Sequence, residues 1–187
     1  MNNYHRPNFA RAIFTTVALA FEILHLGLEY MGGGVQAHHL LARPDLPAIS
    51  NWWGLLLVPA LAWSLSGRVA HRIRKQNPYD TGTRRVSAAI MIAFTASLAY
   101  GAALSFAFIT SFEGISYIFL GAFAVSLLVP TYRAEYILGF VMGMTFTFGA
   151  VLPTIVAIVI ASFSRIVHLA FSAAVRLIRG SATPRSL

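Results

Sequence analysis

Glu22, His25 and Glu29 fall at i, i+3 and i+7 of one apolar stretch, so on a helix they share a face, which Thr15 and Ala18 continue toward the chain start. Two carboxyls and an imidazole within reach of one cavity can move protons, hold a cation or ligate a metal. The segment that follows adds groups of the same kind in His38-His39, Asp45 and Asn51-Trp52-Trp53. Residues 22–53 thereby hold three of the six acids and three of the six histidines, a local enrichment that marks them as one candidate site.

The pattern suggests three roles. Glu22 and His25 form the candidate catalytic pair, with Glu22 or a metal-activated water as general base. His25, Glu29, His38, His39 and Asp45 form a chemically sufficient ligand set for a divalent metal (zinc, iron or manganese), since imidazole and carboxylate serve four-coordinate and octahedral ions alike. Asn51 and Trp52 are candidate walls of the same pocket, the amide orienting a ligand and the indole covering a lipid headgroup or cation; the plainer role of the paired indoles is an interfacial anchor. Ser50 precedes them as the expected N-cap of a second helix. The Gly32-Gly33-Gly34 triplet allows the backbone to turn back, so that His38, His39 and Asp45 are expected to cap the cavity.

Other chemistries lack their residues. There is no cysteine, and no Gly-x-Ser-x-Gly, Gly-Lys-Ser/Thr or His-Glu pair occurs. Glu22-x-x-His25 matches half of a di-iron carboxylate bundle, but neither Glu113 nor Glu135 has a histidine three residues later. A haem held by two helical histidines finds only His168 in the later spans, near the opposite interface.

The elements that carry these residues follow from composition. Of 187 residues, 57% are apolar and only 11% charged, which excludes an ordinary soluble domain. No charge occurs in Leu46–Gly67, Val86–Phe112, Gly114–Tyr132 or Tyr136–Ser164, windows that approach or exceed the ~20 residues needed to cross a bilayer. The expected fold is an all-α, polytopic transmembrane bundle forming a single domain. Its six spans are near 10–31, 50–66, 86–110, 115–130, 134–150 and 153–171. A basic loop covers 68–85, and an amphipathic cationic segment covers 164–180. The long tract after Tyr136 divides in two near Gly149–Pro153. A signal peptide in the first 37 residues is disfavoured, because Glu22, His25 and Glu29 interrupt its apolar run.

The net charge of +8 flanks apolar windows rather than forming a soluble basic face, which argues against nucleic acid and for orientation in a membrane. Six spans with both ends inside put 13 of the 14 bases on the cytoplasmic side and leave Arg43 outside, whereas five spans divide them nine to five. The positive-inside rule selects six spans, in a bacterial-type inner (plasma) membrane. Tyr30, Trp52 and Trp53 then mark the outer interface, and Trp63, Tyr132 and Tyr136 the inner one. At ~1.5 Å per residue, Glu22 lies about 18 Å from the inner edge of a ~30 Å core. A bare charge there costs at least ~2.5–3.5 kcal/mol, so Glu22 is expected to be neutral, hydrogen-bonded, paired with His25 or bound to a metal.

Small residues recur in the third span at Ala89, Ala93, Ser97, Gly101 and Ser105, and in the fifth at Gly139-x-x-x-Gly143. They suit close helix approach, either inside the chain or in a homo-oligomer. Helices three to six are expected to carry no buried charge. A permeation path would spread ionisable groups through the whole depth, and here they stop at Glu22. The sequence therefore favours a membrane-embedded enzyme or cofactor-binding protein, with an outward-facing pocket for a lipid-like or small substrate. The alternative is a small proton-coupled or cation transporter or channel using Glu22 and His25.

Overall fold

The computed structural model describes residues 6–39, 43, 45–75 and 81–181. Among them are six α-helices, α1 (Arg6–Met31), α2 (Gly54–Arg74), α3 (Thr81–Ile109), α4 (Ile115–Leu128), α5 (Ala134–Phe148) and α6 (Val151–Ser181). An antiparallel ribbon of β1 (Ala37–His39) and β2 (Ala48–Ser50) joins α1 to a 3-10 turn at Asn51–Trp53, which leads into α2. Four stretches are long and apolar enough to cross a membrane: Asn8–Met31, Asn51–Arg74, Arg85–Ile109 and Val151–Arg179. α4 and α5, with 14 and 15 residues, are apolar but shorter.

Three boundaries differ from the sequence reading. The ribbon replaces a structureless loop between the first two spans. α2 does not end near Ser66 but continues through Arg68 and Arg72 to Arg74, and α3 begins at Thr81, so most of the basic segment is helical. Arginine is a good helix former, and bases in a last turn are favoured by the negative end of the helix dipole; Asn77-Pro78 lies outside the described residues. Ser50 caps the 3-10 turn, its hydroxyl accepting from the Trp52 amide at 3.4 Å, while α2 itself starts after Trp53.

The tract after Tyr136 divides at Gly149, whose φ of +66° and ψ of −178° lie in a region that is essentially glycine-only. Pro153 follows in the first turn of α6, where its missing N–H breaks no helical hydrogen bond.

α3 and α5 make the closest pairing of the bundle. A Cβ at Gly101 would stand 2.6 Å from the Phe140 carbonyl oxygen, and one at Gly139 or Gly143 would strike the Phe94 or Leu98 carbonyl. Ser97 donates to the Tyr136 carbonyl at 2.6 Å and Ser105 to that of Gly143 at 3.3 Å. The small-residue faces of α3 and α5 thus pack against each other within the chain. Leu104, Phe140, Val141, Met144 and Ile160 form the core around them.

A buried charge exists outside the first helix, contrary to expectation. Glu135, in the first turn of α5, is 4% exposed and pairs with Arg72 of α2 at 2.6 Å. The pair closes the end of the bundle opposite the ribbon, and the extension of α2 past Ser66 is what brings Arg72 to it. Ser164 of α6 donates to the Ser126 carbonyl at 3.0 Å, level with the end of α4. From residue 165 onward α6 is largely exposed.

Candidate functional site

α1 delivers Glu22, His25 and Glu29 to one column facing α2 and the end of α5. Glu22 is fully buried and His25 is 2% exposed. The imidazole sits between the acids, with Nδ1 3.8 Å from Glu22 Oε1 and Nε2 3.4 Å from Glu29 Oε1. The Phe146 ring lies 5.4 Å from it, centre to centre.

Glu29 is held in place. Asn51 Nδ2 donates to its Oε1 at 2.6 Å, and the Gln36 amide donates to Oε2 at 3.3 Å. Asn51 in turn is anchored by its own amide on the Gln36 carbonyl at 2.9 Å, and its side chain rests against Gly149, where a Cβ would collide with the Asn51 amide. The backbone reversal that makes this possible runs through Gly33 and Gly34, both at φ +123°, values that side-chain-bearing residues rarely adopt.

Glu22 has no such partner. Its carboxyl lies against Gly54, the first residue of α2, in space that any Cβ would take, at the positive end of that helix. Both Glu22 oxygens, both His25 ring nitrogens and His38 Nε2 are buried without a hydrogen-bond partner. Buried polar groups are overwhelmingly paired, and each orphan carries a desolvation cost of ~1–3 kcal/mol. Three of the five, Glu22 Oε1 and the two His25 nitrogens, stand 3.4 to 3.8 Å from an ion-pair partner instead.

The ribbon separates the two adjacent histidines. Neighbouring strand residues point to opposite faces, so His38, opposite Ile49, is half-buried, while His39 is exposed and its Nδ1 bonds the Leu46 carbonyl at 2.7 Å. His38 is near enough to Glu29 and His25 for their charges to act on it. Burial lowers its pKa from the ordinary histidine value; Glu29 opposes that shift and His25 adds to it. Asp45 is bound by Arg43 at 2.7 and 3.1 Å at the exposed tip of the ribbon.

The structure thus brings Glu22, His25, Glu29, His38 and Asn51 together, and leaves His39 and Asp45 outside. Among the described residues no three His, Asp or Glu side chains gather as a metal-holding group. The five donors named from sequence therefore do not form one coordination sphere, because strand alternation turns His39 away and Arg43 engages Asp45. Trp52 is 54% exposed, on an apolar surface with Ile23 and Tyr30, where an interfacial anchor belongs. Sequence reasoning missed Gly54, the floor beneath Glu22, and read Gly149 as a chain break but not as the residue against which Asn51 rests. Gly54 follows the Asn51-Trp52-Trp53 run directly, a placement that only the packed helices make meaningful.

Comparison with protein-family models, with curated proteins and with solved structures finds no match for the chain.

Gly54→Ala provides a direct probe of the floor. The atoms in the way of its Cβ belong to the end of the flexible Glu22 side chain, so the fold can adjust while the carboxyl must leave its place. Alanine is also the better helix former, by ~0.5–1 kcal/mol. The expected result is normal thermal stability with the loss of whatever ligand the column holds, read by native mass spectrometry; full ligand retention would contradict this placement of Glu22.

Proposed function

We propose that the chain is a six-span membrane protein with a closed ligand site at its outer end, in which Glu22 and His25 perform acid–base chemistry on a lipid-like or small substrate. Glu29, fixed by Asn51 and Gln36, orients the His25 ring from one side while Glu22 works from the other, the arrangement by which an imidazole is held ready to pass a proton. His38 presents a further imidazole nitrogen to the same space. The observation that carries this reading is the buried Glu22–His25–Glu29 column, in which no hydrogen bond satisfies Glu22 or His25.

The site is read as closed because Ala18, one turn from Glu22, packs with Val58 and Ala62 of α2, all at most 1% exposed, between the column and the basic end of the bundle. The second reading, a proton or cation path, draws on Thr15, whose hydroxyl is buried and unpartnered two turns below Glu22 on the same face. Arg11, one turn further on that face, has a buried and unpartnered Nε as well, so both groups lie beyond the apolar plug.

The test uses the intact protein released from nanodiscs into native mass spectrometry. Wild type is expected to retain one small ligand, which Glu22→Gln and His25→Ala each lose, with a double mutant no worse than the singles because all act on one site. A divalent ion retained instead would replace acid–base chemistry by metal chemistry, and a bare wild-type chain would overturn the reading.

The proposed topology places both ends of the chain and the basic segment 68–75 in the cytoplasm, and the ribbon outside a bacterial-type inner membrane. The positive-inside count supports it, and so does the alternation of the six helices. The exposed bases Arg165 and Arg176 of α6, with Ile166, Leu169 and Phe171 also exposed, suit the anionic inner leaflet. With no native cysteine, single cysteines report sidedness directly. Cysteines at Ala48 and Glu113 are expected to react with an impermeant outside reagent and one at Lys75 not to; the opposite pattern would invert the topology.

A further inference from the structure

Beside the column lies a second space that the acid–base reading does not use. A cavity of about 800 Å³ runs under the ribbon between the ends of α3, α4, α5 and α6. Its wall is almost wholly apolar, with Leu104, Phe119, Met144, Phe148 and Val156 among its residues, and strand β1 closes one end, where His38 is a polar lining residue. Phe108 and Leu120 line it yet are 52% and 60% exposed, so the cavity opens between α3 and α4 onto the surface that faces the bilayer. Its size is that of a site for a sizeable organic ligand.

We propose that this cavity takes the apolar chain of a membrane amphiphile from the bilayer and sets an uncharged, hydrogen-bonding head, such as a hydroxyl, against His38. The proposal rests on the reading of the Glu22–His25–Glu29 column as a ligand site and names the class of its substrate. Three features commit it to this occupant. The mouth lies between helix ends on the lipid-facing surface, so a chain enters without crossing water. The far end is lined by His38, a half-buried imidazole whose Nε2 has no hydrogen-bond partner. The head is uncharged because among the described residues no Lys or Arg lines the cavity to pair an anion, burial disfavours the charged form of His38, and Arg43 is engaged by Asp45. A carboxylate or phosphate there would stand as an unpaired charge in a space withdrawn from water.

The experiment uses the full chain in phosphatidylcholine nanodiscs with a long-chain alcohol bearing a mid-chain diazirine, and the matching fatty acid as its charged counterpart. On irradiation, the alcohol is expected to label residues 104–120 and 144–156 well above the lipid-facing residues Ile13 and Val17 of α1. The acid should label them less. His38→Ala should weaken the labelling about fivefold, the loss of one hydrogen bond. Leu120→Trp, which narrows the mouth at an exposed position, should reduce it while leaving the unfolding temperature unchanged; Val156→Trp fills the interior as a second check. Uniform labelling of all lipid-facing helices, or labelling indifferent to both tryptophans, overturns the proposal. If native mass spectrometry shows a Glu22-dependent ligand while the labelling is uniform, only the amphiphile proposal falls. Cavity-selective labelling by the alcohol, with no ligand dependent on Glu22 or His25, supports the cavity and removes the acid–base reading alone.

Discussion

Gly143→Val is expected to cost about 3 kcal/mol, the upper end for overpacking a tight interface, and to lower the unfolding temperature of the protein in detergent by several degrees. A Cβ at Gly143 would strike the Leu98 carbonyl and lie 2.9 Å from the Ala102 nitrogen and 3.1 Å from Gly101 Cα. All three are main-chain atoms of α3, so no side chain can swing aside and the two helices must separate. Separation also strains the Ser97 and Ser105 hydrogen bonds that bridge them. Gly27 of α1 is the control, since a Cβ there meets nothing within 4 Å; Gly27→Ala should be neutral or gain ~0.5–1 kcal/mol from helix propensity. Equal unfolding temperatures for Gly143→Val and Gly27→Ala would contradict the α3–α5 packing.

Glu22→Lys and Glu22→Gln are expected to separate folding from function. Glutamine matches glutamate in shape, so Glu22→Gln keeps the contact with Gly54 and should fold with wild-type yield. It should nevertheless lose the site's ligand, because the amide puts an N–H donor where the carboxyl offers an acceptor oxygen. Lysine is longer and brings a cation to a fully buried position, where ~2.5–3.5 kcal/mol is the cost of a charge at the centre of a span. Glu22→Lys should therefore collapse the folded yield measured by size-exclusion chromatography. A well-folded Glu22→Lys protein would mean that Glu22 meets water rather than protein.

Much of this arrangement was legible from residue spacing, because helices turn sequence intervals into faces. The i, i+3, i+7 spacing of Glu22, His25 and Glu29 produces their shared column, and the break at Gly149 is written in a residue that tolerates the backbone it adopts. The small residues of α3 and α5 were visible as two smooth faces, but not that each was the other's partner, since no local pattern encodes a pairing about forty residues apart. His38 and His39 were read as acting together because strands of three residues are too short to show alternation. The basic segment 68–85 reads as a loop because its charge ends the apolar window, although helix and apolar span need not end together. Glu135 drew no attention as a buried acid because Arg72, 63 residues away, is what makes its burial affordable.

Flux through the reconstituted protein tests the closed site most directly. Wild type and Glu22→Gln are placed in proteoliposomes at equal density, and proton and cation entry is followed with internal dyes under an imposed gradient. The account predicts no flux above protein-free vesicles in either sample, because Ala18, Val58 and Ala62 pack tightly between the column and the basic end of the bundle. Flux in wild type that Glu22→Gln abolishes would contradict it.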